Sequence, residues 1–140
     1  MSTKLEQLET AGNQSTMSRL LIVDDNVALA RVTQFAFDKA GFDTKTACNG
    51  AVALELARNE SFDMVITDQQ MPVMSGTELC RELRVIEEYA QTPIVMLTAK
   101  GLELELDQLR EELDIQAIFP KPFSPSSIVE AVQKMLAVAV

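Results

Sequence analysis

Short apolar stretches along this chain alternate with segments in which apolar residues return every three to four positions. Arg19 to Asp24, Phe42 to Ala47, Phe62 to Asp68, Pro93 to Thr98 and Ala117 to Phe119 have the length and character of strands. Three of them are nearly continuous in apolar residues, as parallel strands are when both faces of their sheet are covered. Between them, Leu29, Val32, Ala36 and Ala40 predict one helix, Leu79, Leu83 and Ile86 a second, and Ile128, Val132, Met135 and Ala139 a third. GLELELD, from Gly101 to Asp107, alternates as a strand would. Leu102, Leu106, Leu109 and Leu113 nevertheless carry a helical stripe past it, and a helix is expected there. Strand followed by helix, five times over, folds by right-handed crossovers into a doubly wound α/β sandwich with a parallel sheet. Residues 1 to 17 have no core stripe and are expected to form a mobile tail, with Met17 a possible second start. Residues 18 to 140 are then one domain, and no output domain is expected after Val140.

Composition narrows what such a domain could do. A chain of 140 residues, 47% hydrophobic, suffices for one core and not two. Twelve Lys and Arg against 21 Asp and Glu give a formal charge of −9, which argues against a phosphate-backbone partner, so no nucleic acid is expected. No stretch suits a membrane span or a secretory signal, and a cytoplasmic location is expected. Cys48 and Cys80 stand far apart without a CxxC and read as structural thiols. Histidine is absent, which removes Ser/His/Asp and Cys/His nucleophiles and imidazole metal sites together. Carboxylate, hydroxyl and amine chemistry remain.

In a doubly wound sheet, ligands bind beyond the carboxyl ends of the strands. Asp24 and Asp25 close the first strand, Asp68 the third and Thr98 the fourth, and Lys121 follows the fifth, so these groups meet on one rim. Singly, each has an ordinary reading: a helix cap, a strand threonine, a surface lysine. Together, three carboxylates a few ångströms apart would repel one another unless a cation held them. Oxygen donors without sulfur or imidazole suit Mg²⁺, which keeps several waters and is commonly completed by a phosphate oxygen. A flavodoxin-type nucleotide pocket would need a Gly-, Ser- or Thr-rich loop after the first strand, where Asp24, Asp25 and Asn26 stand instead.

From Ser18 to about Leu136 the chain resembles the receiver (response-regulator) domain of two-component signalling, of the stand-alone chemotaxis-regulator type. The resemblance rests on LIVDDN, VITDQQMPVMSG, PIVMLTA and FPKPF, in order and at family spacing. It implies a flavodoxin-like (βα)5 fold with strand order 2-1-3-4-5. It further implies Asp68 as phosphoacceptor, Asp25 as a direct Mg²⁺ ligand, Asp24 assisting through water, and Gln70 coordinating through its backbone carbonyl. Thr98 and Lys121 would meet the phosphoryl oxygens. Gln70 and Lys100, two residues past the phosphoacceptor and past the Thr, would border the approach of hydrolytic water and tune phosphoryl lifetime. The protein would then be a phosphoacceptor switch with only self-phosphorylation and self-dephosphorylation chemistry, and no metabolic enzyme. Its donor would be a histidine kinase or phosphotransfer protein. A downstream protein would bind the face made by the Leu102 to Leu113 helix, the fifth strand and the last helix, where Glu103, Glu105, Glu111 and Glu112 suit a basic partner patch. A constitutive, non-switching interaction module on the same fold is the alternative.

Two positions depart from the family. Ile118 stands where a Tyr or Phe usually precedes the Lys by three, and Phe119, one step on, should face the other side of its strand. Asp114-Ile115 replaces the usual Gly-Ala, which places a residue with a Cβ where positive φ is expected. Lys121-Pro122, which must aim an ammonium into the site and start a helix within a few residues, is expected to be cis.

Overall fold

The computed structural model describes residues 17–99 and 101–139, with the side chains of Leu104, Glu105, Val138 and Ala139 left aside. Residues 1–16 of the expected tail, and Lys100, lie outside that description. Five parallel strands form one sheet in the order β2-β1-β3-β4-β5: β1 Arg19–Val23, β2 Asp43–Ala47, β3 Met64–Asp68, β4 Ile94–Thr98 and β5 Ala117–Pro120. The helices are α1 Val27–Lys39, α2 Gly50–Asn59, α3 Gly76–Arg84, α4 Glu103–Leu113 and α5 Pro125–Ala139, and a single 3₁₀ turn, Glu87–Tyr89, precedes β4.

The near-continuous apolar strands are the central ones. In β1, Leu21 and Val23 face one layer of the core while Leu20 and Ile22 face the other, so a strand with no polar alternation buries both sides. The first layer is completed by Ala53, Leu54 and Ala57 of α2, Leu79 and Leu83 of α3, and Leu106 and Leu113 of α4. The second is completed by Phe37 of α1 with Ile128, Val129 and Val132 of α5. β2, at one edge, is DTKTA and largely exposed, as suits an edge whose outer hydrogen-bonding row meets water. β5, at the other edge, is half-buried throughout.

One helical stripe differs from expectation. On α1 the buried residues are Ala30, Thr33 and Phe37, with Leu29 and Ala36 half-buried beside them, whereas Val32 is 53% exposed and Ala40 caps the exposed end. The i, i+3, i+7 series starting at Ala30 is the true core stripe; its small and polar members hide it behind the more apolar Val32. The alternating GLELELD segment is helical from Glu103, as the leucine stripe requires. Leu106 and Leu113 are buried and Leu109 packs against their cluster, while Leu102 lies just before the first turn.

Two turns carry the expected irregularities. Asp114 closes α4 in the left-handed region at φ 55°, where its N–H reaches back to the carbonyl of Glu111. The Lys121–Pro122 bond is cis.

Candidate functional site

Because the chain leaves β1 toward β2 on one side and returns to β3 on the other, a crevice opens beyond the carboxyl ends of β1 and β3. Local hydrogen bonding sets the residues that line it. Asp24 N–H donates to the Ala47 carbonyl, continuing the sheet one residue past β1, and the Asp24 carboxylate accepts from Asn26 N–H at 2.9 Å. Asn26 in turn caps α1 by accepting from Leu29 N–H. The turn therefore leaves Asp24 3% exposed and Asp25 open to solvent.

Asp68 is the last residue of β3 and 1% exposed. Its backbone is gripped from the far side of the loop that follows. Gly76 N–H donates to the Gln69 carbonyl, and a Cβ on Gly76 would sit 2.4 Å from the Asp68 carbonyl oxygen, so the first turn of α3 approaches closely enough to require glycine. Ser75 and Glu78 form a reciprocal capping box on the same turn. Gln69 Oε1 accepts from both the N–H and the hydroxyl of Thr77, which fixes the loop from Asp68 to Gly76 at two points.

Lys121 is fastened to β4 by its own N–H, which donates to the Thr98 carbonyl at 2.7 Å, and its Nζ lies 2.9 Å from Asp68 Oδ1. That contact pairs the ammonium with a buried carboxylate oxygen. One oxygen from each of Asp24, Asp25 and Asp68 lies within 4.8 Å of the others. Burial pushes the Asp68 carboxyl above its ordinary value, with Asp24 and Asp25 adding to the effect and the Lys121 ammonium opposing it. Burial likewise raises Asp24, against the Asn26 N–H and Lys121. Among the described residues one ammonium, that of Lys121, faces three carboxylates, which leaves negative charge uncompensated. An all-oxygen donor set with three carboxylate oxygens within 4.8 Å of one another fits a small hard cation.

Thr98 closes β4 and is fully buried. Its hydroxyl accepts from Gln70 Nε2 at 3.1 Å, and Ala99 N–H donates to Gln70 Oε1 at 3.0 Å. Thus the five rim residues converge as the strand ends require, and the Gln70 side chain reaches across to β4. Sequence reasoning assigned Gln70 a backbone role and a place beside water, and had no signal for this amide bridge, which depends on the path of the loop. Ile118 is half-buried on the α4 side, packed against the cluster that holds Met96 and Leu106, whereas Phe119 points to the opposite layer.

The match to a known family decides what this arrangement belongs to. Residues 20–133 fit the response regulator receiver domain model. The chain belongs to that family. Among curated relatives, the sporulation initiation phosphotransferase F of Bacillus subtilis is 35% identical over 120 residues, covering 84% of this chain and 93% of that protein. The transcriptional regulatory protein CpxR homolog of Haemophilus influenzae is also 35% identical over 120 residues, covering 86% of this chain and 51% of the relative. The chain thus spans about half the length of that regulator. The solved chemotaxis protein CheY4 of Vibrio cholerae superposes with a TM-score of 0.80 at 32% identity, covering 85% of this chain and 98% of CheY4. The receiver's strand order 2-1-3-4-5 and its two helical layers are those of that fold. Among its described residues no helix is long and apolar enough to cross a membrane.

Proposed function

We propose that Asp68 of this receiver accepts a phosphoryl group from a phosphohistidine on a kinase or phosphotransfer protein, and that the resulting charge alters a partner-binding face. The observation that supports it most is the juxtaposition of Asp24, Asp25 and Asp68 within 4.8 Å, faced by Lys121. An Asp68 oxygen attacks phosphorus. The bond between phosphorus and the donor's imidazole nitrogen breaks, and its electron pair returns to that nitrogen. Asp24, Asp25, Asp68 and the Gln70 backbone carbonyl would hold Mg²⁺, which when bound neutralises charge on the incoming group. Lys121 pairs with a second oxygen, and Thr98 offers a hydroxyl to a third.

The output face is assigned to α4, β5 and α5. Of the α4 glutamates, Glu111 and Glu112 are exposed, but Glu112 lies 3.9 Å from Arg81 of α3 and so turns toward that helix, while Glu103 turns back to accept from Gly101 N–H. Glu105 lies outside the described side chains. Ile118 is β-branched and too short to sweep the volume of an aromatic ring, so signal transmission is assigned to movement of the segment from Lys100 to Leu106, which leads into α4.

Incubation with acetyl phosphate and Mg²⁺, read by intact mass, tests the reading. The wild-type chain gains one phosphoryl group, and Asp68→Asn, an amide of equal size, gains none while keeping its fold. Mg²⁺-dependent labelling of Asp68→Asn to the wild-type level contradicts the assignment.

A further inference from the structure

Two donors stand at the end of β4, the Thr98 hydroxyl and the Ala99 N–H. Asp68 pairs with Leu97 across the β3/β4 register, so these groups follow directly on the residue beside Asp68. In this structure the Ala99 N–H is engaged and the Thr98 oxygen is occupied as an acceptor. Gln70 Nε2 donates to Thr98 Oγ1, and Gln70 Oε1 accepts from Ala99 N–H, so one neutral amide engages both. Gln70 itself is solvent-exposed, two residues past Asp68, and its amide closes over a threonine that is completely buried.

We propose that the Gln70 side chain is an off-state latch: it holds Thr98 and the Ala99 N–H in the unphosphorylated arrangement, and a phosphoryl group on Asp68 must displace it to recruit them. The proposal rests on the phosphoacceptor reading and deepens it by naming the side chain that sets the switching equilibrium. The exchange is chemically directed. A phosphoryl group carries about −1.5 to −2 charge and three acceptor oxygens, and is a stronger acceptor than an amide carbonyl. The Ala99 N–H therefore moves from Oε1 to a phosphoryl oxygen. Thr98, which only accepts from Gln70, turns its own proton toward the same group. The two released amide positions are on an exposed side chain and are satisfied by water. Gln70 opposes activation only because it stabilises the arrangement that activation abandons, so removing its amide raises affinity for a phosphoryl group at Asp68.

The test uses beryllium trifluoride, a stable phosphoryl mimic, titrated in the presence of Mg²⁺ into the wild-type chain, Gln70→Met and Gln70→Ala. Met keeps the length of the side chain without its amide; Ala removes both. Both variants are expected to bind the mimic roughly three- to tenfold more tightly, the range set by the loss of two partly solvated neutral hydrogen bonds. In the ligand-free state, the Ala99 backbone amide is expected to exchange slowly with solvent in the wild type and faster in both variants, a signature that altered packing alone would not produce. If the wild type binds the mimic and both variants bind it equally or more weakly, the amide is a bystander or a phosphoryl ligand, and the latch is overturned while the phosphoacceptor reading stands. If the wild type itself fails to bind, the reading and the latch fall together.

Discussion

Among the described residues Val73 carries the least comfortable backbone, a β-branched residue at φ 72° and 80% exposed, in the loop that follows Asp68. Such a residue suffers a clash between its Cβ and its own backbone that Asn or Gly largely avoids. Val73→Asn is therefore expected to raise stability by about 1 kcal/mol, measured by urea unfolding; an unchanged or lowered midpoint contradicts the strain. The same loop explains what the sequence could not convey about the site. Asp24, Asp25, Asp68, Thr98 and Lys121 were legible because each follows a strand, and a parallel sheet delivers strand ends to one rim whatever the loops do. The Gln70 amide bridge was not, because it depends on how the loop from Asp68 to Gly76 is drawn in by Gln69, Val73 and the close approach of Gly76.

Among the elements, the central strands were the most readable, since a run such as LLIV can satisfy two core layers only in the middle of a covered sheet. α1 was read less well: its buried stripe is carried by Ala30, Thr33 and Phe37, and hydropathy alone favoured Val32. What holds α4 in place was also beyond sequence. The Arg84 guanidinium, from the end of α3, donates to the carbonyls of Leu113 and Asp114 at the end of α4 and to those of Tyr89 and Thr92 before β4. No residue spacing announces a cation whose partners are all backbone carbonyls. Arg84→Met keeps the aliphatic stem but removes the guanidinium from four carbonyls, of which Tyr89 keeps a second donor in the Thr92 N–H, and is expected to lower unfolding stability by about 2 to 4 kcal/mol. A loss below about 0.5 kcal/mol would mean that water replaces the guanidinium without cost. The clamp also implies direction. The C-terminal end of α4 is pinned, whereas its first turn begins at Leu102 without a side-chain cap, so phosphoryl-dependent change in hydrogen exchange is expected at the start of α4 and not at Leu113 to Ile115.

For the whole molecule, the acidic rim couples stability to both metal and proton. Three clustered carboxylates repel one another in the metal-free fold, so Mg²⁺ is expected to raise the melting temperature, by the equivalent of about 2.7 kcal/mol at one hundred times its dissociation constant. Asp25→Asn is expected to stabilise the metal-free protein and to abolish that response. Protons compete for the same oxygens. Asp24 and Asp68 have folded-state values above the ordinary 3.8 of an aspartate. Folding thus carries their penalty while they are ionised and sheds it as pH falls through their raised values toward the unfolded one. The Mg²⁺-induced gain is accordingly largest near neutrality and shrinks on acidification; a gain that grows toward low pH contradicts the site.

The central claim, that this receiver stores its signal as an acyl phosphate on Asp68, is tested most directly by trapping that bond. After treatment with acetyl phosphate and Mg²⁺, borohydride reduction converts a phosphorylated aspartate to homoserine, and peptide mass mapping locates it. The expected result is homoserine at position 68, dependent on Mg²⁺, with Asp24 and Asp25 unmodified. Homoserine at position 24 or 25 with Asp68 intact, or none anywhere in a chain that has gained phosphate, would contradict the account.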